Sequence, residues 1–210
     1  MNDFNWESFL KQESRKAIAK YQEEKRKENK DRWKIPKILS PEVIESKWLG
    51  YPGASEAQIA TVENRLGIRL PPSYRDFLKI TNGWNNTYPG IPILHPVEEI
   101  DWFYVENQDV IDEYNQPLPY SSTISDEEYL VYDFPRSPWV WGQQPLRTEY
   151  MQTALQISDD DDCHFVLLNP KIIHDSEWET WIFMSGDGDV KRYRSFEEMV
   201  KKNGMVNSWV

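Results

Sequence analysis

The strongest local constraint in the chain is Ser55 to Trp84, SEAQIATVENRLGIRLPPSYRDFLKITNGW, where capping, apolar spacing and turn residues agree on two short helices in tandem. Ser55 followed by Gln58 is a capping box, in which each side chain satisfies a backbone N–H left over at a helix start. Ile59, Val62 and Leu66 then fall on one face, and Gly67 can take the left-handed conformation that closes a helix. Leu70-Pro71-Pro72 punctuates the chain, because proline suits the first helical turn and disfavours helix in the residue before it. Tyr74, Phe77 and Leu78, with Thr81, form the stripe of the second helix, which Asn82-Gly83 stops. Two helices this short, joined by an apolar link, must pack on something larger.

The C-terminal third supplies it. Ala154 to Ile157 and His164 to Leu168 read as strands, separated by the acidic loop Asp159 to Asp162. Trp178 to Phe183 and Val190 to Arg194 read as a hairpin across Gly186-Asp187-Gly188-Asp189, and Ser195 with Glu198 caps a last helix that Gly204 ends. Consecutive strands after paired helices predict an α+β fold, a mostly antiparallel sheet packed by helices. Before this domain, taken as 38–210, residues 1–37 read as a charged N-terminal helical extension. Trp6, Leu10, Ala17 and Tyr21, with Phe9 and Ile18 beside them, give its first half a narrow stripe, but Gln22 to Arg32 is wholly polar, so the segment is expected to be peripheral to folding. In between, Ser40-Pro41 starts a short helix, Tyr51-Pro52-Gly53 is a turn and Pro96 opens a single helical turn. Asp109 to Tyr114 has helical character, Ser125 with Glu128 is another capping box, and Pro135, Pro138 and Pro145 break up a segment holding Trp139 and Trp141, which reads as an insertion or irregular loop.

Apolar content is only 39%, so ten Trp, eleven Tyr and eight Phe must make much of any core. A single cysteine, Cys163, excludes an internal disulfide, and no uncharged apolar run resembles a signal peptide or membrane span, so a cytoplasmic location without membrane contact is expected. The formal charge of −11 is unevenly spread: residues 1–37 hold eleven Lys and Arg against seven Asp and Glu, leaving 13 against 28 for the rest. Such a field repels nucleic acid and favours basic partners.

Signs of chemistry are few. His95, His164 and His174 are the only histidines, and neighbouring Cys163 and His164 point apart if both lie on a strand. Asp159-Asp160-Asp161-Asp162 lacks the spaced ligands and glycine of a calcium loop, and no phosphate loop, dinucleotide fingerprint or nucleophile elbow occurs. No metal, cofactor or catalytic residue is assigned. Trp178 and Trp181, three apart on a strand, are expected on opposite faces, one in the core and one on an exposed or groove-lining face.

Ile59, Glu63, Leu66, Gly67, Leu70, Pro71, Tyr74, Phe77, Leu78, Asn82 and Gly83 together resemble the N-terminal signature of the SMI1/KNR4 family, the SUKH superfamily. Glu177-Trp178-Glu179-Thr180-Trp181 is similar to its tryptophan strand and Tyr193 to Glu198 to its closing helix, so the resemblance spans about residues 45 to 202. It implies a non-catalytic binding protein: most known members are bacterial immunity proteins that bind and block toxins, and fungal members act as regulatory scaffolds. Joined to the acidic domain, it points to a basic toxin domain, a nuclease among the options, as the protein partner. Trp84, Asp159, Asp160, Asp161, Asp162, Trp178 and Trp181 are the candidate partner-binding residues.

Overall fold

Helix α1 (Trp6–Arg26) is followed by α2 (Pro41–Ser46), α3 (Glu56–Leu66) and α4 (Pro72–Ile80). After a 3-10 turn (Val97–Glu99) come strand β1 (Asp101–Trp102), α5 (Tyr104–Tyr114), the single-turn α6 (Asp126–Tyr129) and a second 3-10 segment (Thr148–Thr153). Strands β2 (Leu155–Gln156), β3 (His164–His174), β4 (Glu177–Met184) and β5 (Asp189–Tyr193) precede α7 (Phe196–Asn203). The computed structural model describes residues 4–26, 39–85, 92–116, 124–133, 144–160, 163–186 and 188–205.

The five strands form one antiparallel sheet in sequence order. Most of β4 is buried, because helices cover both faces of the sheet, and its second half, Trp181 to Met184, accordingly reads as an unbroken apolar run. On one face, Leu155, Val166, Leu168, Trp178, Ile182 and Tyr193 join Ile59, Val62 and Leu66 of α3, Tyr74, Phe77 and Leu78 of α4, and Phe196 of α7 in the main core. The other face packs Phe165, Leu167, Trp181, Phe183 and Val190 against Phe103, Ile111 and Met151. The capping box at Ser55, the left-handed Gly67 (φ 68°) and the caps at Ser125 and Ser195 form as the sequence predicts.

Two features depart from the expectations. Strand β3 continues past Leu168 to His174, with Pro170 in the stretch between Asn169 and Ile173 where the register shifts. A two-residue turn at Asp175 (φ 50°) and Ser176 (φ 72°) joins it to β4, a hairpin that Asp-Ser signals less clearly than Asn-Gly. The second departure is α1. Trp6, Leu10, Glu13, Ser14, Ala17, Ile18 and Tyr21 are all buried, and the Trp6 ring lies 5.6 Å from Phe77 and 5.7 Å from Phe196. Ser14 Oγ accepts the Leu49 N–H at 3.2 Å, and Glu13 Oε2 accepts the Met205 N–H at 2.8 Å. The expected peripheral extension is, over its first half, part of the main core. Glu13 and Ser14 hid this by breaking the apolar pattern on the buried stripe. The rest of that polar stretch, from Lys27 on, lies outside the described residues.

A polar cluster fastens α6 to the second sheet face. Glu179 and Arg192, at 0% and 1% exposure, pair at 2.8 Å. The Glu179 carboxylate also accepts from Tyr129 Oη (2.9 Å), Tyr132 Oη (2.8 Å), Asn169 Nδ2 (2.8 Å) and Trp181 Nε1 (2.7 Å). Arg192 Nη2 donates to the Tyr129 carbonyl at 2.6 Å, and the guanidinium lies 3.9 Å from the Tyr129 ring centroid. With so many donors the carboxylate is saturated, which makes it a fastening rather than a reactive group. Burial, and after it the Glu179 charge, pushes both phenols well above the ordinary tyrosine range.

Candidate functional site

The loop before α3 is clamped to the end of α4. Gly53 is required there, since a Cβ would come within 1.9 Å of the Lys79 carbonyl oxygen. The Ala54 N–H donates to Leu78 O at 2.8 Å, the Asn82 N–H to Pro52 O at 3.2 Å and the Tyr51 N–H to Thr81 Oγ1 at 2.8 Å. Held this way, Tyr51 remains 44% exposed.

The facing wall is built by the segment from Pro92 to Glu99. Leu94 and Trp84 exchange both backbone hydrogen bonds at 3.0 Å, and the His95 N–H donates to Ile157 O at 2.9 Å. Asp159 closes the arrangement, its Oδ1 accepting the Ile93 N–H at 2.6 Å while its own N–H donates to Ile93 O at 3.0 Å. Asn82 Oδ1 accepts the Val97 N–H at 2.7 Å, and Glu98 accepts from Gln58 Nε2 (2.6 Å) and Asn82 Nδ2 (2.9 Å). Partial burial opposes ionisation of Glu98, but the hydrogen bonds from Asn82, its own backbone and Gln58 outweigh it and hold the carboxyl below the usual range.

Between these walls lies a cleft of about 620 Å³ whose lining includes Tyr51, Pro52, Gln58, Leu94, His95 and Glu99. A second cleft of about 380 Å³ shares His95 and Glu99 and continues past Asp101 and Trp102 to Val105 and Glu106. The two make a groove from the Tyr51 loop, along β1, to the start of α5. Every charged residue among those lining it is acidic. Asp101 is neutralised by Arg65 at 2.7 Å, whereas Glu99 and Glu106 form no ion pair among the described residues. The lining offers carboxylates, amides, aliphatic and aromatic surface and one imidazole, with no serine, threonine, cysteine or lysine as a nucleophile. Such a lining sets negative charge and apolar surface side by side. Among the described residues no group of three or more His, Cys, Asp or Glu side chains is placed to hold a metal ion. No helix among them is long and apolar enough to cross a membrane.

The tryptophans singled out in the sequence sit elsewhere. Trp178 and Trp181 do face opposite sides of the sheet, but at 7% and 0% exposure both are core, because helices cover each face. Trp84, at 1% exposure, packs edge-on against Trp48 at 5.5 Å. None of the three presents a ring to a partner, which corrects the expectation that one of the β4 pair lies on an exposed or groove-lining face. Asp159 has a structural task at the Ile93 N–H, and Asp160 is exposed. Asp161, Asp162, Trp139 and Trp141 lie outside the described residues. The groove residues Tyr51, His95, Glu99, Trp102, Val105 and Glu106 escaped sequence reasoning because they come from four separate segments, each of which reads locally as a turn or a helix start.

A family model described as SMI1 / KNR4 family (SUKH-1) matches residues 53–202, from Gly53 at the groove to the last turns of α7. No curated protein matches the chain.

Proposed function

The chain belongs to the SMI1/KNR4 family (SUKH-1), whose domains generally bind protein partners, and from that premise we propose that it is a non-catalytic immunity protein that binds and neutralises a cognate bacterial toxin with a basic surface. The family match carries the proposal, since it covers the run from α3 to α7 that builds the sheet and most of the core and the groove. The charge distribution supports the basic partner. Outside residues 1–37 the chain holds 28 Asp and Glu against 13 Lys and Arg, and an acidic inhibitor gains association rate and specificity against a cationic target. The action is occlusion, with nothing turned over, and it takes place in the cytoplasm where a toxin must be met before it reaches its target.

The test is co-expression with the product of the adjacent reading frame. Relief of growth arrest by this chain, with a stoichiometric complex on purification, is the expected result. An adjacent product that is harmless alone, together with recovery of several unrelated housekeeping partners, overturns the immunity reading in favour of a regulatory scaffold.

A further inference from the structure

We propose that the groove between the Tyr51 loop and the start of α5 is the docking surface, and that its occupant is an extended, lysine- or arginine-bearing segment of a protein partner. The assignment rests on the binding-protein reading above and adds to it a place and a chemistry. Charge singles out the occupant. Glu99, shared by both clefts, and Glu106 in the second form no ion pair among the described residues, and no lysine or arginine is among the residues lining the groove. The other two carboxylates nearby are already committed, Glu98 to Gln58 and Asn82 and Asp101 to Arg65. The two unpaired carboxylates lie beside apolar surface: Tyr51 and Val105 are 44% and 53% exposed, and Leu94, Pro96 and Trp102 line the same groove. Carboxylates beside aromatic and aliphatic walls match a cationic side chain, whose head group meets the charge while its methylene stem covers the rings. The walls are tied by Gly53 against Lys79 and by paired backbone bonds at Leu94, which favours a groove that needs little reordering to take a partner.

Full-length isotope-labelled protein titrated with a nine-residue lysine-leucine alternating peptide tests this, with a glutamate-leucine peptide of equal length as control. Saturable shifts are expected at the Trp102 indole and at His95, Val105 and Tyr51, weakened at roughly 0.5 M salt. The Glu99→Lys/Glu106→Lys variant, folded by circular dichroism, should bind the basic peptide at least about tenfold more weakly. Equal binding of the acidic peptide, shifts centred on Leu130, Val131 and Ile173 instead, or unchanged affinity in the variant overturns the assignment. The outcomes separate from those of co-expression: a chain that relieves toxicity as well with Glu99→Lys/Glu106→Lys as without keeps its function and loses this interface. A groove that takes the basic peptide in a chain with no toxic partner keeps the interface and loses the immunity reading.

Discussion

Glu179 carries the largest electrostatic risk of any single residue on the second sheet face, since it is fully buried and its charge is balanced by Arg192 with four further donors around it. Removing one member of such a pair leaves an uncompensated buried charge, so Glu179→Ala should cost on the order of 3–5 kcal/mol in denaturant unfolding. Replacing both, as Glu179→Leu with Arg192→Met, should cost clearly less than the two single changes summed, and additivity would show that the groups do not act as a unit. The same cluster fixes a proton. Tyr132 has one hydrogen to donate and Glu179 takes it, so the 2.8 Å contact between Tyr132 Oη and His174 Nε2 requires the proton on that nitrogen. Glu98 makes a pH prediction. Its folded-state carboxyl lies below the ordinary range, so its contribution to stability is present above the unfolded pKa and is lost as pH falls through the lowered folded value. Thermal unfolding across the acid limb should therefore fall less steeply in Glu98→Gln than in the parent, and parallel curves would remove Glu98 from the account.

Among the elements, α4 and α1 depend most on distant partners. Proline at the α4 N-cap offers no side-chain cap, and Glu177 of β4 supplies one from 104 positions away, accepting the Ser73 N–H at 2.8 Å and its hydroxyl at 2.6 Å. Burial pushes the Glu177 carboxyl up, the Ser73 bonds oppose the rise, and Glu197 and Asp76 add to it. Leu78 of α4 is fully buried, and Leu78→Ala should cost about 2–5 kcal/mol; a loss well under that range would mean the site collapses around the gap. For α1, deletion of residues 1–38 removes Trp6 and Leu10 from the core and takes the Trp6 ring away from Phe77 and Phe196. The truncated chain is expected to lose cooperative unfolding, and Trp6→Ala alone should cost about 3–5 kcal/mol. A truncated chain that unfolds as cooperatively as the parent would return α1 to the role of an appendage.

At the scale of the whole molecule, the acidic balance predicts steering. Changing Asp159 to Asp162 together to asparagine removes four charges, keeps an acceptor for the Ile93 N–H, and should slow association with a basic partner while weakening its salt dependence. Stopped-flow rates at low and high ionic strength read this directly, and a wild-type rate at low salt would reduce the loop to a solvated turn. Much of the fold was legible in the chain itself. Capping boxes at Ser55 and Ser125, the left-handed Gly67 and the aromatic-rich run from Trp178 to Phe183 are local signals, set by backbone hydrogen bonding and strand propensity, and they need no partner to be read. What the tertiary structure decided is which faces are covered. A tryptophan's spacing tells which side of a strand it takes, but helices on both sides buried Trp178 and Trp181 alike, and the apolar gaps at Glu13 and Ser14 closed only when Met205 and Leu49 brought their N–H groups to them. The groove belongs to the same class: Tyr51, His95, Glu99 and Glu106 become one surface only because backbone pairing at Trp84, Leu94 and Asp159 folds separate segments side by side, an outcome of long-range hydrogen bonds that no local period encodes.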